Sequence, residues 1–274
     1  MNTIRLQSDS GQTIEFVDDV KASGAMKDIF FSPDRSYVVG FFRDAPTSAL
    51  RDRLKDIVSR YRENLFEKEG GEFWKGHFCW PFDTVHHEGR IGVVVPFYES
   101  NFFFEHGSKN NDMLKIRGKD KEGKWFASAS NREKFLDPRE KGNWLTHLKI
   151  CLSIARAVRR LHMAGLAHSD LSYKNVLIDP TTGRACVIDI DGLVVPGKYP
   201  PDVVGTPDFI APEVIKTQHL DRTDSNRVLP SRTTDRHALA VLLYMYLFYR
   251  HPLRGAKVFD PDPMKDEELG MGRQ

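Results

Sequence analysis

Three polar side chains near the middle of the chain have types and a spacing suited to phosphoryl transfer. Asp170 and Asn175 lie in the stretch HSDLSYKN (168–175), and Asp189 follows at the end of an apolar run. Phosphoryl transfer requires a carboxylate to accept the proton of the attacking hydroxyl and oxygen ligands to hold Mg²⁺. Asp170 is therefore the candidate base, and Asn175 and Asp189 are the candidate metal ligands.

The segments around these residues are predicted to position them. The runs VLID (176–179) and ACVI (185–188), joined by the turn-rich PTTG, are typical of a β-hairpin that would place Asn175 and Asp189 side by side. Upstream, apolar residues recur at helical spacing and predict a helix from Trp144 to Met163 that leads into the loop. The predicted apolar stripe consists of Leu148, Cys151, Leu152, Ala155, Val158 and Leu161.

The loop resembles the catalytic loop of the protein kinase family, and further family motifs follow in the usual order. The tripeptides Gly-Thr-Pro (205–207) and Ala-Pro-Glu (211–213) resemble the end of an activation segment, on which a substrate peptide lies. Asp235 opens an apolar helix, like the family aspartate that supports the catalytic loop from below. The resemblance implies an α+β fold of two lobes: an N-lobe over residues 1–98, with an antiparallel sheet and one helix, and a mainly helical C-lobe over 99–274. We expect residues 100–142 to form an enlarged lobe connection with a small hairpin. The family helices that bring an arginine to the glutamate matching Glu213 are not evident, so we expect a truncated C-lobe, or a partner or compact tail in place of those helices.

The resemblance also implies ATP, with Mg²⁺ or Mn²⁺, as cofactor and a protein as substrate. Many kinases that act on serine and threonine carry a lysine for the γ-phosphate where this chain has Ser172, so Lys174 is the candidate replacement. Thr206 favours a serine or threonine acceptor, although Ser172 and Lys174 leave tyrosine open.

The segment that should cradle the phosphates departs from the family pattern. In ASGAMKDI (22–29) only the middle glycine, Gly24, is present. Aligning Gly40 with the alanine of the family's third strand puts Phe42 where the phosphate-binding lysine belongs. Lys27 stands in the place of the third glycine, which resembles the with-no-lysine kinases, whose loop lysine reaches the phosphates instead. Arg43 is the second candidate.

The acidic partner of that lysine is not evident. In kinases a helix glutamate orients the lysine, and apolar spacing predicts this helix from Ser48 to Phe66. Glu63 lies nearly opposite the apolar stripe and is expected to face solvent. The chain has Asp-Ile-Asp-Gly (189–192) where the family has Asp-Phe-Gly. The second aspartate, Asp191, could bind a second Mg²⁺ or cap the next turn, and we favour the cap.

Adenine is expected next to the segment that joins the lobes. The run RIGVVV (90–95) predicts a buried strand that ends at Pro96, and the residues after it resemble the family hinge. Proline has no amide hydrogen, so the Tyr98 backbone is the expected donor to the base. Ile29 and Leu177 would sandwich the ring.

Ser169 replaces the arginine through which many kinases sense activation-loop phosphorylation. A phosphate on that loop would have no such partner here. The chain is therefore predicted not to require activation-loop phosphorylation.

Composition argues against several other classes of protein. The net charge of +2 comes with no basic face, so neither nucleic acid nor a membrane is an expected partner. The apolar run from Ala238 to Phe248 is too short to span a bilayer, and no export signal is evident. Cys79, Cys151 and Cys186 lie in apolar contexts and are expected to be reduced thiols, so we expect a cytoplasmic protein.

Some phrases, among them FCWP (78–81) and VIDIDGL (187–193), resemble a bacterial kinase group associated with tellurite resistance, the kinases of the TerY-phosphorylation triad. That resemblance implies two partners, a protein phosphatase of the 2C type and a von Willebrand A domain protein, in stress signalling. The degraded glycine loop leaves a second function open, a pseudokinase that binds nucleotide or docks to regulate such a partner.

Overall fold

The computed structural model describes residues 2–23, 26–67, 70–195, 197–201, 205–255, 260 and 262–270. The chain divides into two compact units. The first unit comprises Met1–Glu99 together with Asp189–Asp191, and the second comprises Ser100–Ile188 and Gly192–Gln274. The sequence placed the division after residue 98, but it did not place Asp189–Asp191 with the N-terminal part.

A five-stranded antiparallel sheet organises the first unit. In spatial order its strands are β3 (Ala22–Ser23), β4 (Lys27–Phe31), β5 (Tyr37–Phe42), β7 (Arg90–Pro96) and β6 (Asp83–His87). β5 and β7 are rich in valine and phenylalanine, which suit a pleated, half-buried surface. β4 pairs with β5 so that Lys27 lies opposite Phe42 and Ile29 lies opposite Gly40.

The two faces of this sheet have different covers. A separate hairpin of β1 (Thr3–Gln7) and β2 (Thr13–Val17) precedes the sheet. Its side chains Ile14 and Phe16 belong to one buried cluster with Val39 and Phe41 of β5. On the other face, Phe42 packs with Leu54 of a helix. Alternation of side chains along β5 accounts for this division.

The predicted helix over Ser48–Phe66 is present, with a change of winding in its middle. It consists of α1 (Ser48–Asp56), a π-helical segment (Ile57–Tyr61) and α2 (Arg62–Phe66). The buried Trp80 donates its indole N–H to the Ile57 carbonyl oxygen at 2.9 Å, which satisfies a carbonyl within the irregular segment. Glu63 is exposed, as predicted. The short helix α3 (Gly71–Lys75) follows.

The second unit is mainly helical. Its core joins helix α6 (Trp144–Met163), helix α8 (Arg232–Phe248) and the hairpin of β8 (Val176–Asp179) and β9 (Arg184–Val187). Its other elements are α4 (Lys109–Asp112), a single turn with Asn110 and Asn111 at positive φ, α5 (Ala129–Lys134), α7 (Pro212–Thr217), α9 (Pro263–Gly270) and short 3₁₀ turns at Ser100–Phe102, Gly123–Trp125 and Pro138–Glu140.

The structure corrects the predicted buried face of α6. Leu148 and Leu152, both assigned to the apolar stripe, are 41% and 51% exposed. The buried face is formed by His147, Ile150, Cys151, Ile154, Ala157, Val158 and Leu161. This helix has apolar residues on more than one side, so periodicity located the helix without fixing its rotation.

The connection over residues 100–142 also differs from the prediction. The small hairpin expected there does not form among these residues, all of which the structure describes. Isolated bridges, Phe103 to Asp120 and Ser108 to Leu136, replace it. Buried charges hold the connection instead, since the Lys121 ammonium lies 3.1 Å from the Glu140 carboxylate and both side chains are almost fully buried. The polar clusters in this segment therefore form turns rather than strands.

Candidate active site

The catalytic-loop candidates Asp170 and Asn175 are in direct contact within the second unit. The Asn175 side-chain nitrogen donates to the Asp170 backbone oxygen at 2.7 Å and to its carboxylate at 3.0 Å. Because the amide nitrogen is used in this way, the amide oxygen of Asn175 is the atom suited to bind a cation.

Thr206 fixes the other oxygen of the Asp170 carboxylate. Its hydroxyl donates to Asp170 Oδ1 at 2.7 Å and lies 3.3 Å from the hydroxyl of the fully buried Ser172. A cavity beside this contact is bounded by Asp170, Gly205 and Phe209, among others. The carboxylate is thus oriented from both sides and borders a cavity about large enough for one water molecule.

Asp235, in the first turn of α8, supports the loop from below, which confirms the prediction. Its carboxylate accepts the backbone N–H groups of His168 at 2.8 Å and Ser169 at 3.0 Å, and the His162 ring nitrogen lies 2.9 Å away. Asp235 is only 2% exposed. Ser169 has a left-handed φ of 65°, so these bonds hold a backbone conformation that a serine rarely adopts.

The hairpin that follows fixes the position of Ile188, the residue before Asp189. The Ile188 N–H donates to the Asn175 carbonyl oxygen at 3.0 Å, and the Ile188 oxygen accepts from the His168 ring at 2.9 Å. Leu177 is fully buried in β8. Lys174 is exposed, with its backbone N–H on the Ser172 hydroxyl at 3.3 Å.

In the first unit, Lys27 meets two carboxylates of the Asp-Ile-Asp-Gly segment. Its ammonium lies 2.8 and 2.7 Å from the two oxygens of Asp191 and 3.0 Å from Asp189. The Phe42 ring centroid lies 5.4 Å from the same ammonium. The side chains of Lys27 and Asp191 are 18% and 7% exposed, whereas that of Asp189 is 47% exposed.

Lys27 stays charged in this setting. Burial alone would lower the pKa of its ammonium, but the negative charges of Asp191 and Asp189 outweigh burial and raise the pKa above its ordinary value. The first unit therefore places a permanent positive charge beside the segment that begins at the candidate metal ligand Asp189.

The second lysine substitute, Arg43, is placed elsewhere. Its guanidinium binds Asp28 at 3.0 and 2.9 Å, and Arg90 also reaches Asp28. Asp28 is the cross-strand partner of Phe41, so its contact with Arg43 lies on the face of the sheet opposite Phe42 and Lys27. The structure therefore does not bring Arg43 to the predicted phosphate position.

The remaining nucleotide candidates are distributed along the sheet. A methyl group on Gly40 would lie 3.2 Å from Ile29 and 3.5 Å from the Lys27 stem, so glycine lets these side chains lie close over β5. Pro96 ends β7 and accepts from the Cys79 thiol at 3.4 Å, and Tyr98 is half-buried. Burial raises the pKa of the Cys79 thiol to about 12. Gly24 lies outside the described residues.

The predicted substrate shelf is held by Asp208. Arg254 donates to its carboxylate at 2.7 Å, and the His251 ring contacts its backbone oxygen at 3.0 Å. Arg254 also binds Asp266 of α9 at 2.8 Å. Glu213, which in the family pairs with a C-terminal arginine, is exposed. Arg254 thus links Asp208 of the predicted shelf to Asp266 of α9.

Sequence reasoning missed two of these contacts. Asp191 was favoured as a cap, and its position against Lys27 depends on a pairing across more than 160 residues. Arg254 carried no motif. The sequence did contain one hint toward Asp191. Lys27 has no evident glutamate partner on the predicted helix, so a carboxylate elsewhere in the chain had to be considered.

The candidate metal ligands, Asp189 and Asn175, belong to different units of the chain. Within the described ranges, no group of three or more His, Cys, Asp and Glu side chains could hold a metal ion. A kinase does not need such a group, because Mg²⁺ keeps water and phosphate oxygens in its shell and takes only one or two side-chain ligands. One carboxylate, Asp189, and one amide oxygen, Asn175, fit that chemistry.

Comparison with known proteins decides the family. The model of the protein kinase domain family matches residues 121–267, more than half of the chain. The chain belongs to the protein kinase family. The match begins after strands β1 to β7, so it rests on the stretches that resemble the catalytic loop and the activation segment and on α8.

Curated kinases match this kinase domain over short stretches. The "Dual serine/threonine and tyrosine protein kinase" of Apis mellifera is 33% identical over 82 residues, which are 30% of this chain and 8% of that protein. The human "Dual specificity testis-specific protein kinase 1" is 33% identical over 105 residues, 35% of this chain and 17% of that protein. The chain thus matches under a fifth of the length of either relative.

Solved structures show the same fold. The kinase domain of a rhoptry antigen from Toxoplasma gondii matches with a TM-score of 0.56 and 18% identity, over 99% of this chain and 78% of that chain. A second protein from that organism, described as having a protein-kinase fold and no enzymatic activity, matches with a TM-score of 0.52 and 18% identity, over 92% of this chain and 69% of that chain. The fold is therefore shared with a protein that is described as having no enzymatic activity.

One further observation concerns membranes. The helices of the described residues are all too short or too polar to cross a bilayer.

Proposed function

We propose that this kinase is active and transfers the γ-phosphate of Mg-ATP to a serine or threonine hydroxyl of a protein. The observation that carries the proposal is the Asp170 carboxylate, held by Asn175 on one oxygen and by Thr206 on the other. A general base must be fixed within reach of the hydroxyl proton before its pKa matters. These two bonds provide that orientation.

Each of the other polar residues has a proposed part in binding and positioning. Asn175 and Asp189 would hold Mg²⁺, which when bound would neutralise charge on the phosphates. Mn²⁺ suits the same oxygen ligands. Lys27 would bind the phosphates from the first unit, and Lys174 would approach the γ-phosphate with its exposed side chain.

The proposed adenine contacts come from apolar side chains and from the segment after β7. Ile29 would contact one face of the base, and Gly40 leaves room beside Ile29. The sequence also assigned Leu177 to the base, but its side chain is fully buried in β8. Pro96 has no amide hydrogen, which leaves the Tyr98 backbone as the proposed donor. Gly24 would let the backbone approach the phosphates.

The choice of acceptor is supported by Thr206. Its hydroxyl, bonded to Asp170, shapes the space where the substrate hydroxyl would lie, which favours serine or threonine. We also propose that activation-loop phosphorylation is not required. The Ser169 backbone N–H donates a hydrogen bond to Asp235, and the serine side chain has no guanidinium to pair with a phosphate.

One observation favours a pseudokinase instead. Asp189, the proposed metal ligand, is bonded to Lys27 at 3.0 Å, so a cation already neutralises its charge. The glycine-poor loop and the similarity to a protein without enzymatic activity point the same way. In this second function the domain would bind nucleotide or a partner without transferring phosphate.

Partners and location follow only from the resemblance and the thiols. We propose a protein phosphatase of the 2C type and a von Willebrand A domain protein as partners in bacterial tellurite-resistance or stress signalling. We propose a cytoplasmic location, because the thiols of Cys79, Cys151 and Cys186 are buried and form no disulfide among the described residues, as expected in a reducing compartment. Co-purification of the three proteins expressed together is the measurement that tests the first statement, and recovery of the kinase alone would contradict it.

The test of activity compares the wild type with Asp170→Asn, using labelled ATP and a generic basic protein substrate. Asp44→Asn, an exposed aspartate of the first unit, is the matched control. Loss of the base is expected to slow transfer about 10²- to 10⁴-fold while nucleotide affinity is unchanged. Nucleotide binding without transfer by the wild type, in either metal, would favour the pseudokinase.

A further inference from the structure

The acidic partner of Lys27 lies in the Asp-Ile-Asp-Gly segment rather than on the helix. Both Asp191 oxygens lie within 2.8 Å of the Lys27 ammonium. Helix residue Glu63, the glutamate weighed from the sequence, is exposed. The first unit therefore contains a buried lysine–carboxylate pair built from β4 and from residue 191.

Asp191 and Asp189 make unequal contacts with this lysine. Asp191 contacts it with both oxygens and its side chain is 7% exposed, whereas Asp189 contacts it with one oxygen and is 47% exposed. A buried carboxylate without a neighbouring cation strongly destabilises the fold, so we expect Asp191 to keep its ion pair with Lys27. The side chain of Asp189 is half exposed, so its carboxylate can bind another cation in place of Lys27.

The backbone holds Asp191 in place. Residues Ile190–Gly192 form a 3₁₀ turn, and Ile190 is only 1% exposed. The carboxylate that contacts Lys27 is therefore flanked by a buried apolar side chain, which limits its freedom to move. The stem of Lys27 is limited on its other side by Ile29 and Gly40, since a methyl group on Gly40 would lie 3.5 Å from it.

We propose that Asp191 is the positioning residue for Lys27: it holds the ammonium where the phosphates of a nucleotide are bound, a task that other kinases give to a helix glutamate. This inference rests on the proposed role of Lys27. It also assigns separate tasks to the two aspartates, with Asp189 left for the metal and Asp191 reserved for the lysine.

The test is a double-mutant cycle read out by nucleotide affinity, measured with a fluorescent ATP analogue and Mg²⁺. Asp191→Asn in the wild-type background is expected to weaken binding about tenfold, the size of one lost charge-assisted hydrogen bond. In the Lys27→Met background the same change is expected to have no further effect. Equal losses in both backgrounds would mean that Asp191 acts on folding alone, and would overturn the inference.

A second readout covers the case in which Asp191→Asn is too unstable to study. Thermal unfolding without nucleotide is expected to show a lower midpoint for Asp191→Asn and for Lys27→Met singly, and partial recovery in the double variant, which buries no unpaired charge. Asp191→Glu keeps the charge and should retain more affinity than Asp191→Asn. Additive midpoint losses, or Asp191→Glu no better than Asp191→Asn, would contradict the pairing.

These outcomes separate the inference from the proposed function. If the wild type binds nucleotide but transfers no phosphate, while Asp191→Asn loses affinity only when Lys27 is present, the kinase is inactive and the inference stands. If transfer occurs and Lys27→Met leaves nucleotide affinity unchanged, the enzyme is active and the inference is wrong. Asp44→Asn serves as the charge-matched control throughout.

Discussion

The catalytic loop of the second unit and strands β4 and β5 of the first unit depart from the family pattern to very different degrees. Around Asp170 the loop is held by defined hydrogen bonds, from Asn175 to the Asp170 carboxylate and from the His168 N–H to Asp235. On the strands, Phe42 occupies the position aligned with the family lysine, and its direct cross-strand partner is Lys27, to which we assign the phosphate-binding role by proposal.

The difference follows from what each region must supply. A base and a metal ligand act through oxygens placed at fixed distances and directions, so their residue types and spacing are narrowly limited. A phosphate-binding ammonium acts as a point charge on a flexible stem, and it can reach one place from either of two adjacent strands. The position of a phosphate-binding lysine in the sequence is therefore less restricted than the positions of the catalytic-loop residues.

The largest effect is expected where the loop is supported. Asp235→Ala leaves two backbone N–H groups and a histidine without their acceptor in a buried site, which should lower the free energy of unfolding by about 3–5 kcal/mol and abolish transfer. Chemical denaturation followed by fluorescence measures the first quantity. Glu213→Gln, which changes an exposed side chain, is the control, and a loss as large as that of Asp235→Ala would break the assignment of the loop support to Asp235.

The next effect concerns the two basic candidates on the strands. Lys27→Met is expected to lower kcat/KM for ATP about 100-fold, because a charge contact to the phosphates is removed. Arg43→Met should change it by less than about threefold, since Arg43 pairs with Asp28 on the other face. Steady-state kinetics with varied ATP measures both, and a larger effect at Arg43 would reverse the assignment.

A smaller effect is expected at the substrate shelf. Arg254→Ala removes the partly buried contact to Asp208 and should raise the KM for a protein substrate about three- to tenfold, with kcat nearly unchanged. Arg254→Lys keeps a charge but loses the forked geometry, so it should recover only part of the effect. An unchanged KM in Arg254→Ala would show that Asp208 does not need this anchor.

The smallest expected effect is a pH dependence of stability in the second unit. Burial, together with the charge of Arg132, lowers the pKa of His147 below its ordinary value. The unfolded chain then binds more protons, so stability falls as pH drops below about 6.5 toward the folded-state pKa. Melting curves between pH 7 and 5 should show a shallower decline for His147→Gln than for the wild type, whereas the exposed control His219→Gln should follow the wild type.

The sequence was informative where function depends on local spacing. The loop residues, the hairpin after Asn175 and the aspartate of α8 are each set by short motifs, and all were predicted. The buried face of α6 was not, because Leu148 and Ile154 are equally apolar and only packing distinguishes them. The hairpin expected within residues 100–142 was also wrong, and the buried ion pair in that segment joins Lys121 to Glu140, which no local spacing marks.

The contact of Lys27 with Asp191 includes one residue that the sequence indicated and one that it did not. Aligning Gly40 with the family alanine was enough to mark Phe42 and to propose Lys27 in its place. The role of Asp191 was not accessible in the same way, because its carboxylate and Lys27 are brought together only by the fold. Long-range pairs of this kind leave no periodicity or spacing to detect.

The most direct test of the account is to return the lysine to the neighbouring strand. Lys27→Met alone should lose most of the nucleotide affinity and transfer, and the double variant Lys27→Met with Phe42→Lys should recover part of both, since the two positions are direct partners in the β4–β5 pair. Transfer of labelled γ-phosphate and nucleotide binding are measured side by side. Transfer by Lys27→Met at the wild-type rate would contradict the central claim that Lys27 is the phosphate-binding lysine of this kinase.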